Sequence, residues 1–474
     1  MSAPTQIGRP PRVLVLGAGI AGLAAAVALA EAGLRPTVLE RRPVLGGRAA
    51  SFTGQGVAEP VDNCQHVLLH CCTCLMDFYR RVGVADLIAF HKRVTFIDGR
   101  GSHSALSPLP LPAPLHLGLS FLGLKSMGLR DKLSIALGLL RVLRADLASP
   151  RLARMTLSAW LAEARQTPRA IQAFWEPVLV SALNESLDRA SARYGLMVFR
   201  DGFLATRDAY EVGIPSVPLA RLYEEPCEGF LASKGGEVRR RATATRLLVN
   251  EGQVHGVRLS DGTEEEADVV VSSVPSDALL RILPEELTGE APFSGLDRLE
   301  VSPITAVHLW FDRIVTDLDH AVVLDHQIQW MFNKTRDFGL QGEGSYLGLV
   351  VSASRQWTGK TRDEIVEVAL REVREVFPAA REAELKSAKV VVEPKATFSA
   401  TPESDEFRPG TRTPITGLYL AGDWTDTGWP GTMEGAVRSG YLAAEAVLSD
   451  LGHPTKLLVP DIRPSGLSRL LMRR

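Results

Sequence analysis

The sequence predicts an α/β fold: a doubly wound, three-layer domain on a parallel sheet, with an α+β domain of mostly antiparallel strands inserted in two parts. Three observations carry this. A strand–glycine loop–helix–strand unit opens the chain, a strand–loop–helix unit closes it, and a strand-rich stretch lies between them. The 474 residues allow two or three units. Hydrophobic residues at 45% and charged residues at 23% exclude a disordered chain or a fibre. Lys+Arg at 53 against Asp+Glu at 55 leaves a net charge of −2, without the basic footprint of nucleic-acid binding. Five cysteines are too few for a disulfide scaffold and point to a reducing, cytoplasmic setting. A mean hydropathy of +0.05 is oily and points to an apolar ligand or a membrane surface.

Residues 13–30 read VLVLGAGIAGLAAAVALA. Hydropathy alone assigns a membrane span or a signal-peptide core. The glycines decide otherwise. Gly17, Gly19 and Gly22 form G-x-G-x-x-G between the strand run Val13–Leu16 and an Ala-rich helix that stops at Gly33. A second strand, Pro36–Leu39, runs into Glu40. This is the βαβ fingerprint of a dinucleotide site. Gly17 makes the tight turn, Gly19 lets backbone approach a pyrophosphate at the helix N-terminus, and Gly22 lets helix and strand pack closely. Ile20 and Ala21 lie within the fingerprint. Glu40 is the acid for the ribose hydroxyls, followed by Arg41.

Leu45-Gly46-Gly47-Arg48 follows closely. Far along the chain, residues 417–440 read GLYLAGDWTDTGWPGTMEGAVRSG, a short strand, Gly422-Asp423, and a helix from Met433. Between them, Gly235-Gly236-Glu237-Val238 precedes strand runs at 246–249, 254–259 and 267–272. Together these segments resemble the flavin-dependent amine oxidase and phytoene desaturase superfamily. The resemblance implies a Rossmann-like FAD domain in an amine oxidase-like two-domain flavoprotein, with FAD held non-covalently. It implies that Gly46, Gly47 and Arg48 lie beside the pyrophosphate and flavin, and that Val238 meets the adenine through its backbone. Asp423 would bind the ribityl or pyrophosphate region. The helix N-terminus at Thr432-Met433 would face the flavin pyrimidine, where its dipole stabilises negative charge. The FAD domain is then assembled from 10–75, 225–290 and 410–450. The substrate domain takes 76–224 and 291–409, with strands at 305–311, 321–324 and 346–352 and a helix at 361–377.

Residues 115–147 are apolar with interspersed bases, either an interfacial amphipathic segment or a helical cap over the substrate cavity. The tail 451–474 ends in Leu467, Leu470, Leu471 and Met472 among arginines, a weak second anchor or a frayed end. The expected location is cytoplasmic, with peripheral contact at the inner membrane face.

Three segments are more specific: Val61–Leu69 (VDNCQHVLL), Trp175–Asn184, and Gly428–Gly435 (GWPGTMEG). They resemble the squalene-associated branch of the superfamily, the hydroxysqualene dehydroxylases, although that branch has glycine where this chain has Cys64. The implied reaction is reductive removal of the hydroxyl of an isoprenoid lipid, hydroxysqualene, giving squalene for hopanoid or carotenoid pathways. The leaving hydroxyl needs an acid, and Asp62, His66, Asp426 and Glu434 are the candidates. Trp175, Phe199, Phe203, Tyr210 and Trp429 could face the polyene. Cys64, His66, His70, Cys71, Cys72 and Cys74 crowd eleven residues, but no second paired set accompanies them and no metal is expected. The alternatives are a carotenoid desaturase, an amine or protoporphyrinogen oxidase, and a non-enzymatic prenyl-lipid escort.

Overall fold

The computed structural model describes residues 9–52, 60–342 and 344–472. Val13–Leu16 is four apolar residues buried on both faces, as a central parallel strand requires. It pairs in parallel with Pro36–Glu40 on one side and Val269–Ser272 on the other. Glu237–Arg240 extends the first side and Leu418–Leu420 the second, giving a five-stranded parallel sheet from three separated stretches of chain.

The helix Ile20–Glu31 has no polar face: Ile20 through Ala30 are all buried. One side lies on the sheet and the helix Met433–Asp450 packs on it. Two glycines permit this. A Cβ on Gly22 would stand 2.0 Å from the Gly17 carbonyl oxygen, and one on Gly440 would stand 2.3 Å from the Ala21 carbonyl oxygen. Gly22→Ala is therefore expected to lower stability by about 3 kcal/mol and to yield protein with little flavin. Denaturant unfolding and the flavin-to-protein absorbance ratio check this.

The second sheet has seven strands. Its order is Leu385–Phe398, Val301–Phe311, Ser345–Ser352, Trp330–Asn333, His320–Val323, Val94–Ile97 and His103–Leu106. Only His320–Val323 and Val94–Ile97 pair in parallel. The helix Arg362–Val376 covers this sheet, started by a Thr361–Glu364 capping box. The 14-residue strand Leu385–Phe398 is not foreseen from sequence. Its lysines and Pro394 read as loop, but it lies at the sheet edge, where both are tolerated.

Short helices between residues 115 and 204 form a cap, including two π-helical turns, Ile171–Trp175 and Arg200–Leu204. The tail is anchored at Ser468. Ser468 is fully buried, its N–H donating to the Ala113 carbonyl at 3.1 Å and its hydroxyl to the Leu204 carbonyl at 2.5 Å. Arg473 and Arg474 lie outside the described residues.

Candidate functional site: two cavities that meet

A cavity of about 740 Å³ runs along the ends of the parallel strands. Gly17, Gly19, Ile20, Ala21, Glu40, Arg41, Gly46, Gly47, Arg48, Gly422, Asp423, Thr432 and Met433 all line it. The glycine loop leaves bare backbone there. Gly17 has φ +96°, and a Cβ on Gly19 would meet nothing within 4 Å, standing in the cavity itself. Gly46 donates its N–H to the Ala18 carbonyl at 2.8 Å, which binds the second glycine pair to the first. The buried Glu40 carboxylate accepts the Ala18 N–H at 2.7 Å and the Arg42 N–H at 2.8 Å. Each oxygen keeps a lone pair for a ribose hydroxyl.

At the other end, the helix Met433–Asp450 begins. Its N-cap Thr432 accepts the Gly435 N–H at 3.1 Å, and the first-turn N–H groups of Met433 and Glu434 have no partner within the helix. Arg48 and Asp423 pair at 2.5 Å, and Arg48 also donates to the Ala396 carbonyl at 2.9 Å. They form a clamp between the two glycine segments on the cavity wall. A long cavity with a ribose acid at one end, bare backbone in the middle and a helix N-terminus at the other fits FAD.

A second cavity, of about 250 Å³, adjoins the first. Its wall is mostly apolar, with Leu68, Val94, Phe96, Leu106, Phe174, Val198, Phe199, Phe203, Val212, Ile304, Trp330, Phe332 and Val350 among its residues. Both cavities share Cys64, Gln65, Val67, Ser181, Ala182, Ile304, Thr432 and Met433. Through this junction a molecule in the second cavity would reach a cofactor in the first.

The structure separates the candidate acids. His66 lines the cofactor cavity. Its Nδ1 lies 3.0 Å from the Cys64 carbonyl, and burial lowers its pKa, so the ring is neutral at pH 7. Asp62 lines neither cavity. One of its oxygens accepts from the Ser51 hydroxyl at 2.7 Å and the Leu219 N–H at 3.0 Å, and the other faces the buried Lys334 ammonium at 3.4 Å. It joins distant segments, and both of its oxygens are engaged by the protein. Asp426 is exposed and lines neither cavity, in a turn where it accepts the Gly428 N–H at 3.3 Å. Glu434 reaches the apolar wall, but its oxygens accept the Cys74 and Leu75 N–H groups at 3.1 and 2.8 Å, capping the helix Thr73–Arg81. Burial raises its pKa.

Two further expectations change. Val238 sits within the sheet beside Val38 and is not on the cavity wall, where Ala242, Thr243 and Ala244 stand instead. Trp175 is a core ring whose Nε1 donates to Gln166 at 2.7 Å, and its neighbour Phe174 faces the cavity. Phe199, Phe203, Tyr210 and Trp429 do line the apolar cavity. Of the cysteine-rich stretch, Cys64, Cys71 and Cys72 contribute to that wall, and burial pushes the Cys64 thiol up to about 12.

Sequence reading misses Arg408. Its side chain is fully buried, donating to the carbonyls of Thr425 at 2.5 Å, Trp429 at 2.8 Å and Asp423 at 3.2 Å, and pairing with Asp405 at 3.0 Å. It holds the loop that delivers Asp423 and Thr432 to the cofactor cavity.

Comparison with known proteins agrees with this geometry. The model of the flavin containing amine oxidoreductase family matches residues 20–448. The 15-cis-phytoene desaturase of Synechococcus elongatus is 27% identical over 458 residues, covering 92% of this chain and 96% of its own. The zeta-carotene desaturase of Arabidopsis thaliana is 27% identical over 481 residues, covering 92% and 85%. Among solved structures, an oxidoreductase from Methanosarcina mazei superposes with a TM-score of 0.69 at 19% identity, covering 92% of this chain and 100% of that one. Cyclohexylamine oxidase from Brevibacterium oxydans superposes at 0.66 and 19% identity, covering 94% and 100%. The chain belongs to the flavin containing amine oxidoreductase family and is an FAD-dependent oxidoreductase of the amine oxidase-like two-domain fold.

Proposed function

We propose that the protein acts on an isoprenoid lipid, and that its reaction is the reductive dehydroxylation of hydroxysqualene to squalene. The observation that carries the lipid is the apolar cavity opening onto the cofactor cavity. A hydrocarbon chain gains about 25 cal/mol per Å² on entering such a wall. An alkylammonium would find no carboxylate among the described residues of the junction, which disfavours an amine. In the reaction the C–O bond breaks, the hydroxyl leaves as water with one added proton, and a hydride forms the new C–H bond. Reduced FAD, when bound, supplies that hydride.

The chain's own residues do the rest. Apolar side chains exclude water, and the Phe199, Phe203 and Trp429 rings offer π-faces to a developing allylic cation. For the proton, two carboxyls reach the apolar wall, and Glu434 is occupied as a cap. The other is Asp201, on the π-helical turn Arg200–Leu204. Burial raises its pKa although Arg200 donates to both oxygens, at 2.8 and 3.2 Å. Asp201→Asn is expected to slow product formation more than about tenfold, whereas Asp426→Asn leaves it within about twofold. Initial rates on matched, flavin-replete preparations compare the two.

The second reading, a polyene desaturase, is favoured by the similarity to phytoene and zeta-carotene desaturases. It runs electrons the other way, from lipid to oxidised flavin. An anaerobic comparison separates them. Flavin reoxidation by hydroxysqualene with matching squalene supports the dehydroxylase. Indifference to hydroxysqualene, with bleaching of oxidised flavin by phytoene, overturns it in favour of the desaturase.

A further inference from the structure

The cap carries an apolar face that neither cavity uses. In the helix Leu129–Arg144, Ile135, Gly138, Val142 and Leu143 are buried against the protein. Leu129, Leu133, Leu137 and Leu140 recur at helical spacing on the outside, 78, 61, 54 and 41% exposed. Leu115, Leu119 and Leu122, just before this helix, are each more than half exposed. Single exposed leucines need no explanation, but a stripe of this extent marks an interaction surface.

The C-terminal helix Ser468–Leu471 belongs to the same face. It packs on Leu129–Arg144, anchored by the two hydrogen bonds of the buried Ser468, and turns Leu470 outward at 80% exposure. Two segments more than 300 residues apart in sequence thus present leucines side by side.

Charge identifies the partner. Lys125, Arg130, Arg141, Arg144 and Arg469 are exposed among these leucines or border them. The one acid between residues 111 and 144, Asp131, is engaged by the Gly128 N–H at 2.9 Å and the Thr167 hydroxyl at 2.6 Å. A basic rim around an apolar stripe complements an anionic lipid surface. Among the described residues no helix is long and apolar enough to cross a membrane. Behind the face, Phe121 meets Phe174 edge-on at 5.5 Å, and Phe174 lines the apolar cavity. One layer of rings separates the two.

We propose that residues 115–144 and the C-terminal helix form one bipartite face that docks the enzyme on an anionic lipid surface, leucines in the acyl layer and bases at the headgroups. This goes beyond the reaction assigned above and holds whichever lipid reacts. Flotation with vesicles of equal parts phosphatidylcholine and phosphatidylglycerol tests it on the flavin-loaded protein. The wild type is expected to float, and more weakly with phosphatidylcholine alone. The Leu129→Asp/Leu133→Asp/Leu137→Asp variant, and separately Leu470→Asp, are expected to lose about tenfold or more in partitioning while keeping their flavin. The proposal is overturned if the wild type stays unbound, or if the triple variant floats equally well. It is also overturned if the face is covered instead by a second copy of the chain, seen as a non-floating dimer that the triple variant converts to monomer.

Discussion

Arg408→Met is expected to lower stability by about 4 kcal/mol and to release the flavin. The guanidinium replaces water for a set of inward-turned carbonyls, those of Asp423, Thr425 and Trp429, and for the Asp405 carboxylate. It also donates to the Tyr194 hydroxyl at 2.5 Å and lies over the Phe398 ring at 4.7 Å. Methionine fills much of the volume but makes none of these bonds. Breaking one partner of a buried charged network costs about 3–5 kcal/mol, because the groups left behind remain buried. The loss falls on residues 423–429, which lead directly into Thr432 and the helix N-terminus on the cofactor wall. Thermal unfolding and the flavin absorbance of the purified variant read both consequences. A variant that unfolds with the wild type and stays yellow would mean that the loop holds itself.

The second large effect is at the junction. Ala182 lines both cavities, near the end of the helix Glu176–Leu183. Ala182→Phe places a ring at the junction through which the proposed lipid would approach the cofactor. The glycine loop and Glu40 that hold the far end of FAD are on other elements. The variant should therefore keep its flavin spectrum and stability, while turnover falls about 100-fold, since displacing a reacting atom by an ångström or so carries that size of loss. Ala182→Ser, nearly the same size, is expected to stay within about threefold of wild type. Full activity in the phenylalanine variant would mean that the lipid reaches the cofactor by another route.

Legibility from sequence followed how locally each role is encoded. The glycine fingerprint and Glu40 act through backbone conformation and short spacing, so Gly17, Gly22 and Glu40 were readable from about 25 contiguous residues. The strand at 418–420 and the helix after Thr432 were readable for the same reason. Asp62 was not. It stands next to Asn63 and Cys64, which line the cofactor cavity, but besides Ser51 its partners are Leu219 and Lys334, 157 and 272 residues away. Only the fold shows that its carboxylate turns away. Glu434 likewise reads as an acid beside the flavin, while the Cys74 N–H that it caps lies 360 residues earlier. Arg408 lies in the polar stretch PESDEFRPGTR, which carries every sign of an exposed loop, and nothing in it reveals full burial. The outward leucines of 129–140 were legible as amphipathic. Their union with the C-terminal helix was not, because it depends on the buried Ser468 hydroxyl and its tertiary partner.

On the proposed reading, an apolar alcohol in the second cavity receives hydride at the junction with the first. Deuterium transfer tests it most directly. The flavin-loaded enzyme is reduced anaerobically in D₂O, given unlabelled hydroxysqualene for a single turnover, and the extracted squalene is analysed by mass spectrometry. One deuterium per molecule, at the carbon that lost oxygen and in proportion to the flavin reoxidised, is the expected result. Recovery of unreacted hydroxysqualene with the flavin still reduced, or squalene without label, would contradict it.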